Sequence, residues 1–366
     1  MKENSRAAGA TARSVALIYT GGTIGSAGTP RAPLPAAAFR ALWEANLAGL
    51  PEFATPRFWH MLEPPLDSTE MTPRDWAVLA TLVLDAAEAG AEAVVVLHGT
   101  DTLANSAAAL AYLLTAMDGA QPVARLGIPV VLTGAMAPLF EGEGLLEGSD
   151  ALANLSTALG FAAHGPAEPG VHLAFAGRTG PGARTAKLHT EAHDAFGWPS
   201  GPGRLAPLPP CPAASLRPAL ARLAPELGRR AVLLATPAPE DAALQAAILE
   251  GAVVGLAERI GALLLAGFGS GNMPAAATLG PVLTRLRARG VPVALASQVP
   301  AGGVTPDAYA AGAWLARLGV LPAGDMTLAA AHAKLHVALA HAAAEAWDRD
   351  GIERFFMTPI AGERDG

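Results

Sequence analysis

The chain of 366 residues is too long for one small core and has the length expected of two domains. Hydrophobic residues make up 51% of it and charged residues 16%, which is enough apolar material for two buried sheets. The formal net charge is −7, and no run of five or more basic residues occurs. This charge pattern argues against nucleic acid and against an anionic membrane surface as partners.

Cysteine usage and hydropathy favour a cytoplasmic protein. The only cysteine is Cys211, so no intrachain disulfide can form, and a reducing compartment is consistent with the sequence. Residues 1–13 are polar and small and are predicted to be disordered. The first apolar run, residues 15–19, is too short for the core of a signal peptide or for a membrane span. We therefore expect cytoplasmic localisation and no membrane partner.

Short apolar runs alternate with helix-like stretches from residue 15 onward, which is typical of parallel β–α–β units. Apolar residues at helical spacing predict three helices, near Pro73, Leu103 and Ala329. The predicted buried strands are residues 15–19, 93–97, 129–132, 171–176, 232–235, 262–266 and 291–296.

A proline-rich stretch divides the chain. Residues 197–228 contain eight prolines, so regular structure is not expected across most of this segment. We interpret it as a linker between a larger N-terminal domain, residues 14–196, and a smaller C-terminal domain, residues 229–366. The predicted fold class is α/β, with a parallel sheet in each domain.

Glycine residues and residues with hydroxyl side chains follow the first three predicted strands. The segments are TGGTIG at 20–25, HGTDT at 98–102 and TGAMAP at 133–138. Glycine lets backbone amides approach a ligand closely, and hydroxyl groups can attack it or donate hydrogen bonds. Because ligands of open parallel sheets bind at the carboxyl ends of the strands, these loops are the predicted site.

Local sequence leaves simpler interpretations of these loops open. The segment at 20–25 lacks the spacing of a dinucleotide fingerprint and the lysine of a Walker loop. Taken alone, it is equally consistent with a plain turn from strand to helix. Asp101, between two hydroxyl residues, also suits a helix cap.

The loops at 20–25 and 98–102 resemble the two signature loops of bacterial-type L-asparaginases, in the same order and at a similar separation. The likeness extends over roughly residues 15–339 and, at residues 324–327 and 333–335, is greater to the cytoplasmic than to the periplasmic type. Further similar segments are residues 67–73, 134–136, 149–155, 182–187, 267–274 and 297–298.

The resemblance implies an amidohydrolase that acts on L-asparagine. Thr23 matches the threonine that attacks the amide carbon, after which ammonia leaves and water hydrolyses the acyl-enzyme. Thr100, Asp101 and Lys187 match a second catalytic cluster, in which the lysine and the aspartate polarise a threonine hydroxyl. We therefore expect these four residues to be catalytic.

The resemblance also implies how the substrate is held. Ser68 and its backbone amide are expected to bind the α-carboxylate, and Asp101 and Thr69 the α-ammonium group. Backbone amides near Thr100 and Ala135 are expected to bind the developing oxyanion. The predicted substrate-binding residues are Gly22, Ser68, Thr69, Gly99 and Ala135.

No step of this reaction requires a metal or an organic cofactor, and none is predicted. His332 and His336 have a spacing that would suit a metal ion on one helix face. They lie in an alanine-rich helical stretch, so a packed helix face is the favoured interpretation.

The loop that follows Thr23 departs from the family pattern. Asparaginases of this type usually carry a tyrosine there, but residues 26–35 contain none and hold three prolines. Tyr19 and Tyr112 are interpreted as core residues, and Tyr309 is a candidate for reaching a neighbouring subunit's site. A slower enzyme, or one that accepts a different amide, follows as a hypothesis.

Several alternatives remain at the level of sequence. L-glutamine is an alternative substrate, because one methylene group discriminates only modestly. A non-catalytic amino-acid sensor, an ammonia-supplying amidotransferase component and a nucleotide-binding oxidoreductase are less favoured. Apart from the small-molecule substrate, the family resemblance implies a homodimer or homotetramer.

Overall fold

A computed structural model describes residues 12–50, 53, 58–203, 207–237, 241–255, 259–274 and 276–365. The segment predicted to be disordered, residues 1–13, lies outside this part of the chain except for its last two residues. Of these, Arg13 is anchored to the domain that follows: its guanidinium group donates to the carbonyl oxygens of Ala162 and Gly165 at 3.0 and 3.1 Å.

The described residues form strands and helices that alternate along most of the chain. The strands are β1 (Val15–Gly21), β2 (Ser26–Ala27), β3 (Ala32–Pro33), β4 (Phe58–Leu66), β5 (Ala93–Leu97), β6 (Thr115–Asp118), β7 (Gln121–Leu126), β8 (Pro129–Thr133), β9 (Phe140–Glu141), β10 (Gly144–Leu145), β11 (Gly170–Phe175), β12 (Arg178–Pro181), β13 (Ala186–Lys187), β14 (Phe196–Gly197), β15 (Pro210–Cys211), β16 (Ala231–Ala235), β17 (Ile260–Gly267), β18 (Val293–Ser297) and β19 (Leu321–Pro322). The helices are α1 (Ala36–Asn46), α2 (Pro73–Glu88), α3 (Leu103–Leu113), α4 (Ala151–His164), α5 (Ala213–Leu223), α6 (Ala242–Gly255), α7 (Ala276–Ala288), α8 (Ala310–Arg317), α9 (Leu328–Glu345) and α10 (Arg349–Met357).

The N-terminal sheet has six strands in the order β12–β11–β8–β5–β1–β4. All neighbours are parallel except β12, which runs antiparallel to β11. Strand β5, with the sequence AVVVL, is fully buried, as expected for a strand covered by helices on both faces. Because β8, β5, β1 and β4 run in one direction, the loops that follow them meet at one edge of the sheet.

The C-terminal sheet has four parallel strands in the order β16–β17–β18–β19. Each of the seven predicted strands is present, and the predicted helices near Pro73, Leu103 and Ala329 correspond to α2, α3 and α9. The predicted fold class, two parallel-sheet α/β domains, is therefore confirmed. None of the helices in the described ranges combines the length and hydropathy needed to cross a bilayer.

The proline-rich segment contains a helix that was not predicted from the sequence. Helix α5 includes Pro218 and buries Leu216, Leu220 and Leu223 on one face. The spacing of these leucines is helical, and the burial that it allows outweighs the hydrogen bond that proline cannot donate. Arg217 on the same helix forms ion pairs with two carboxylates of α2, which holds the segment against the N-terminal domain.

Strand β4 was also missed, because its sequence includes Glu63-Pro64-Pro65. Proline cannot donate to a strand ladder and is tolerated mainly in edge strands. Strand β4 lies at the edge of the sheet, next to β1 only.

The two domains share a buried contact between α3 and α9. The Tyr112 hydroxyl of α3 lies 3.4 Å from the carbonyl oxygen of Ala330 in α9. The Lys334 ammonium group is fully buried, lies 5.8 Å from the centre of the Tyr112 ring and forms an ion pair with the equally buried Glu363. Burial lowers the pKa of Lys334, and the neighbouring Glu363 opposes this shift.

Breaking this buried ion pair should destabilise the fold. We expect Lys334→Met to lower the free energy of unfolding by about 3–5 kcal/mol, because Glu363 would remain buried without its cation. The double variant Lys334→Met/Glu363→Gln should recover most of this loss, as measured by chemical denaturation. A loss below about 1 kcal/mol in the single variant would contradict a desolvated pair.

Candidate active site

Three loops meet at the carboxyl edge of the N-terminal sheet. Gly22 has φ of +77°, and a Cβ atom there would lie 2.2 Å from the Cα atom of Gly99. A Cβ atom at Gly99 would in turn lie 2.5 Å from the Ser68 hydroxyl oxygen. Only glycine permits this approach, so the structure brings the predicted residues Gly22, Ser68 and Gly99 together at one point.

Lys187 connects to the loop after β5 through two hydrogen bonds. Its ammonium group donates to the Thr100 hydroxyl oxygen at 3.0 Å and to the Asp101 carboxylate at 2.7 Å. Lys187 belongs to the short strand β13, which pairs with β14 and so fixes its direction. Thr100 is buried, the Lys187 side chain is 21% exposed and the Asp101 side chain 56% exposed, so the cluster opens from the interior toward solvent.

Thr23 lies on a short 3₁₀ turn, Thr23–Gly25, directly after β1. The carbonyl oxygen of Gly22 anchors this turn by accepting from the Gly25 amide at 3.2 Å and the Ser26 hydroxyl at 2.8 Å. The side chain of Thr23 is half-buried, and among the described residues its hydroxyl makes no hydrogen bond. It is therefore available to a substrate.

The loop after β4 is fixed by its own side chains. The Asp67 carboxylate accepts from both the amide and the hydroxyl of Thr69, each at 2.9 Å. The Thr102 hydroxyl donates to the Ser68 carbonyl oxygen at 2.7 Å, which ties this loop to the one after β5. The Thr69 hydroxyl thus donates its hydrogen bond to Asp67, and its oxygen can still accept a hydrogen bond from an ammonium group.

The loop after β8 contains Ala135, which is fully buried. The Asp150 carboxylate accepts from the amides of Met136 and Ala137 at 2.9 Å, and the Asn154 amide group donates to the Gly134 carbonyl oxygen at 3.0 Å. Residues 149–155 resemble the family in sequence, but the sequence alone indicated no role for them. Their contacts show that they hold this loop in place.

Arg184 anchors the segment that carries Lys187. Its side chain is 2% exposed and donates to the carbonyl oxygens of Ser200, Gly201 and Gly362 at 2.8, 3.0 and 3.3 Å. It also forms an ion pair with Asp325 of the C-terminal domain. This role was not predicted from the sequence, because the partners lie far away along the chain.

His98 is the first residue of the signature loop at 98–102 and is fully buried. Its Nδ1 lies 2.7 Å from the Gly99 carbonyl oxygen, which assigns the proton to Nδ1, and its Nε2 lies 3.0 Å from the Met71 sulfur. Burial lowers the pKa of His98 to about 4, against the opposing effect of the Gly99 carbonyl. We infer that it is a neutral positioning residue at ordinary pH.

The lowered pKa of His98 makes the stability of the fold sensitive to acid. Below the unfolded-state pKa of about 6.5, His98 is protonated in the unfolded chain. In the folded protein His98 stays neutral until the pH falls to about 4. The stabilisation from His98 is therefore complete above pH 6.5 and is lost progressively between pH 6.5 and about 4, a loss on the order of 3 kcal/mol. Unfolding free energies measured from pH 7 to pH 4 should show this loss, with a smaller slope in His98→Asn, whereas a slope equal to the wild type's would contradict the assignment.

His332 and His336 pack against each other with ring centres 4.7 Å apart, and His336 contacts Trp76. Burial lowers the pKa of both histidines, that of His336 to about 3. Within the described residues, no group of three or more His, Cys, Asp or Glu side chains is arranged to hold a metal ion.

Two family models match the two domains. The model described as "Asparaginase, N-terminal" matches residues 14–204, and that described as "Glutaminase/Asparaginase C-terminal domain" matches residues 231–356. The chain belongs to the asparaginase family. This confirms the predicted family and the predicted class of enzyme, an asparaginase-type amidohydrolase.

Individual relatives of this asparaginase-family chain match over most of its length. L-asparaginase 1 of Escherichia coli (strain K12) is 32% identical over 360 residues, which cover 96% of this chain and 98% of the relative. The solved structure of the thermostable L-asparaginase from Thermococcus kodakarensis is 30% identical with a TM-score of 0.74, covering 96% of this chain and 99% of that one. A component of the glutamyl-tRNA(Gln) amidotransferase of Pyrobaculum aerophilum is 30% identical, covering 81% of this chain and 67% of the relative.

Proposed function

We propose that the protein hydrolyses L-asparagine to aspartate and ammonia through an acyl-enzyme on Thr23. The observation that carries this proposal is the contact of the Lys187 ammonium group with both Thr100 and Asp101. It lies where the loops of Gly22, Ser68 and Gly99 converge, so a small amide bound there would meet the nucleophile and the polar cluster together.

The first half of the reaction forms an ester. The Thr23 hydroxyl oxygen bonds to the side-chain amide carbon and loses its proton, the carbon–nitrogen bond breaks, and the nitrogen takes up a proton and leaves as ammonia. Backbone amides near Thr100 and Ala135 are suited to bind the oxyanion that develops on the amide oxygen. Burial of both residues favours this role, because hydrogen bonds to charge are stronger away from water.

The second half restores the enzyme. A water molecule attacks the ester carbonyl, aspartate leaves, and the oxygen of Thr23 recovers its proton. The Thr100 hydroxyl lies 3.0 Å from the Lys187 nitrogen and is the group through which a proton passes between the reaction centre and the lysine. Asp101, at 2.7 Å, orients that lysine.

The α-substituents of asparagine match the remaining side chains. Ser68 and its amide are suited to the α-carboxylate, and Asp101 with Thr69 to the α-ammonium group. The exposed carboxylate of Asp101 supplies the negative charge that an ammonium group requires. We propose that Gly22, Gly99 and Ala135 also contribute to substrate binding, through the backbone of the loops that carry them.

The assay that tests the proposal measures ammonia release from L-asparagine and from L-glutamine by the purified protein. We expect turnover of asparagine with a larger kcat/KM than for glutamine, by a factor of roughly 10–200 for the one extra methylene group. A larger value for glutamine would make the protein a glutaminase. If neither amide is hydrolysed but aspartate raises the Tm, the protein is an amino-acid sensor.

Assembly and compartment are also part of the proposal. We propose a homodimer or homotetramer located in the cytoplasm. Phe268 and Tyr309 in the C-terminal domain are 42% and 61% exposed, and such aromatic side chains are typical of subunit contacts. The lone Cys211, which cannot form an intrachain disulfide, fits a reducing compartment. Light scattering of the purified protein tests the oligomeric state.

A further inference from the structure

The loop that follows Thr23 is a short hairpin that lies against the site. Strands β2 and β3 pair antiparallel within residues 26–35, and the Leu34 amide donates to the Gly25 carbonyl oxygen at 2.9 Å. The Leu139 amide donates to the Ile24 carbonyl oxygen at 2.9 Å, which fixes the nucleophile turn from the other side. One backbone hydrogen bond thus joins the two ends of the loop, Gly25 and Leu34, and the other holds the turn that precedes it.

The hydroxyl of Tyr19 lies between these two ends. It is 3.0 Å from the Leu34 carbonyl oxygen and 3.2 Å from the Gly25 carbonyl oxygen. Its ring stacks on Phe39 with ring centres 4.1 Å apart and planes 3° apart, and it is fully buried. The hydroxyl therefore sits at the point where the nucleophile turn and the returning strand of the hairpin join.

The turn is shaped around this tyrosine. A Cβ atom at Gly25 would lie 2.4 Å from both the hydroxyl oxygen and a ring carbon of Tyr19, so only glycine allows the turn to rest on the ring. Burial, together with the nearby Glu63, raises the pKa of Tyr19, which keeps its hydroxyl protonated. Its chemistry is that of a permanent hydrogen-bond donor.

We propose that Tyr19 is the positioning residue of the nucleophile: its hydroxyl shares one proton between the carbonyl oxygens of Gly25 and Leu34 and so acts as a clamp that fixes Thr23 at the reaction centre, in a chain whose loop at residues 26–35 has no tyrosine. This proposal rests on the proposed function of Thr23. Tyr19 acts through the backbone of the turn and does not touch the substrate. The clamp also explains why a loop with three prolines and little freedom to move suffices here.

The test compares Tyr19→Phe with Tyr112→Phe, the same substitution at another fully buried tyrosine outside the site. We expect Tyr19→Phe to lower kcat for asparagine by about 10- to 100-fold with KM nearly unchanged, since a misplacement of about 1 Å has effects of this size. The pH profile of kcat should keep its shape. Tyr112→Phe should retain the wild-type kcat while lowering the Tm.

Hydrogen exchange of residues 26–35 gives a readout that does not depend on turnover. We expect faster exchange of the Leu34 amide in Tyr19→Phe than in wild type or in Tyr112→Phe, because the clamp that closes the hairpin is lost. Absence of amidase activity in the wild-type protein would contradict the proposed function. The exchange rate of the Leu34 amide would still show whether the clamp exists.

Three results would overturn the proposal. The first is a wild-type kcat together with unchanged exchange in Tyr19→Phe. The second is an equal loss of kcat in Tyr19→Phe and Tyr112→Phe, which would indicate general destabilisation. The third is the loss of one limb of the pH profile in Tyr19→Phe, which would make the hydroxyl a proton-transfer group.

Discussion

Replacing Thr23 with valine should abolish catalysis while leaving the fold intact. The substitution keeps the shape of the side chain and removes only the hydroxyl, so we expect kcat for asparagine to fall by about 10⁴-fold or more. Thr23 is half-buried, and its hydroxyl makes no hydrogen bond among the described residues, so the Tm should change little. Ammonia release and thermal unfolding measure the two effects.

Thr20→Val provides the matched control. Thr20 lies three residues before Thr23 and donates to the Leu97 carbonyl oxygen at 3.0 Å. Loss of this hydrogen bond in Thr20→Val should lower the free energy of unfolding by about 1 kcal/mol and leave kcat near that of wild type. If Thr20→Val were as inactive as Thr23→Val, the effect would belong to the loop and not to the nucleophile.

Replacing Lys187 with methionine should have the next largest effect. The change keeps the length of the side chain but removes the nitrogen that contacts Thr100 and Asp101, and we expect kcat to fall by about 10³-fold. Lys187→Arg should not restore activity, since a guanidinium group does not give up its proton. Steady-state rates at saturating asparagine measure both variants.

Lys334→Met is the control for this experiment, because Lys334 is also paired with a carboxylate but is fully buried in α9, where it contacts Glu363 outside the site. It should lose stability and keep kcat at a temperature where it is folded. A Lys187→Met variant with more than about one tenth of the wild-type kcat would remove the lysine from the proposed mechanism.

The strands and the site loops could be predicted because their signals are local. A run such as AVVVL at Ala93–Leu97 is typical of a strand buried on both faces, as in a parallel sheet covered by helices, and the glycine loops follow such runs directly. Helix α5 was not predicted, because the eight prolines of residues 197–228 indicate irregular structure. Burial of its leucine face outweighs the hydrogen bond that Pro218 cannot donate.

The residues that position the site could not be predicted in the same way. Tyr19 was interpreted as a core residue from its place in a strand, and it is buried, but its hydroxyl meets carbonyl groups six and fifteen residues further along. The partners of Arg184 include Asp325 and Gly362 in the other domain. Such contacts depend on the tertiary packing of segments that are distant in sequence, which local residue spacing does not specify.

The scarcity of lysine is a further signal in the sequence that points to Lys187. The chain contains 25 basic residues, and only Lys2, Lys187 and Lys334 are lysines. In a chain that otherwise uses arginine, a lysine is a candidate for a position that needs a compact ammonium group or a removable proton, because arginine supplies neither. Both lysines in the described ranges are paired with carboxylates, and one of them lies in the site.

The most direct test of the central claim is to trap the acyl-enzyme. Wild-type protein mixed with asparagine and quenched in acid within the first turnover should carry one aspartyl group as an ester, and peptide mapping by mass spectrometry should assign it to Thr23. Thr23→Val should carry none. An aspartyl ester on Thr100 or another residue, or ammonia release with no covalent intermediate under these conditions, would contradict the account.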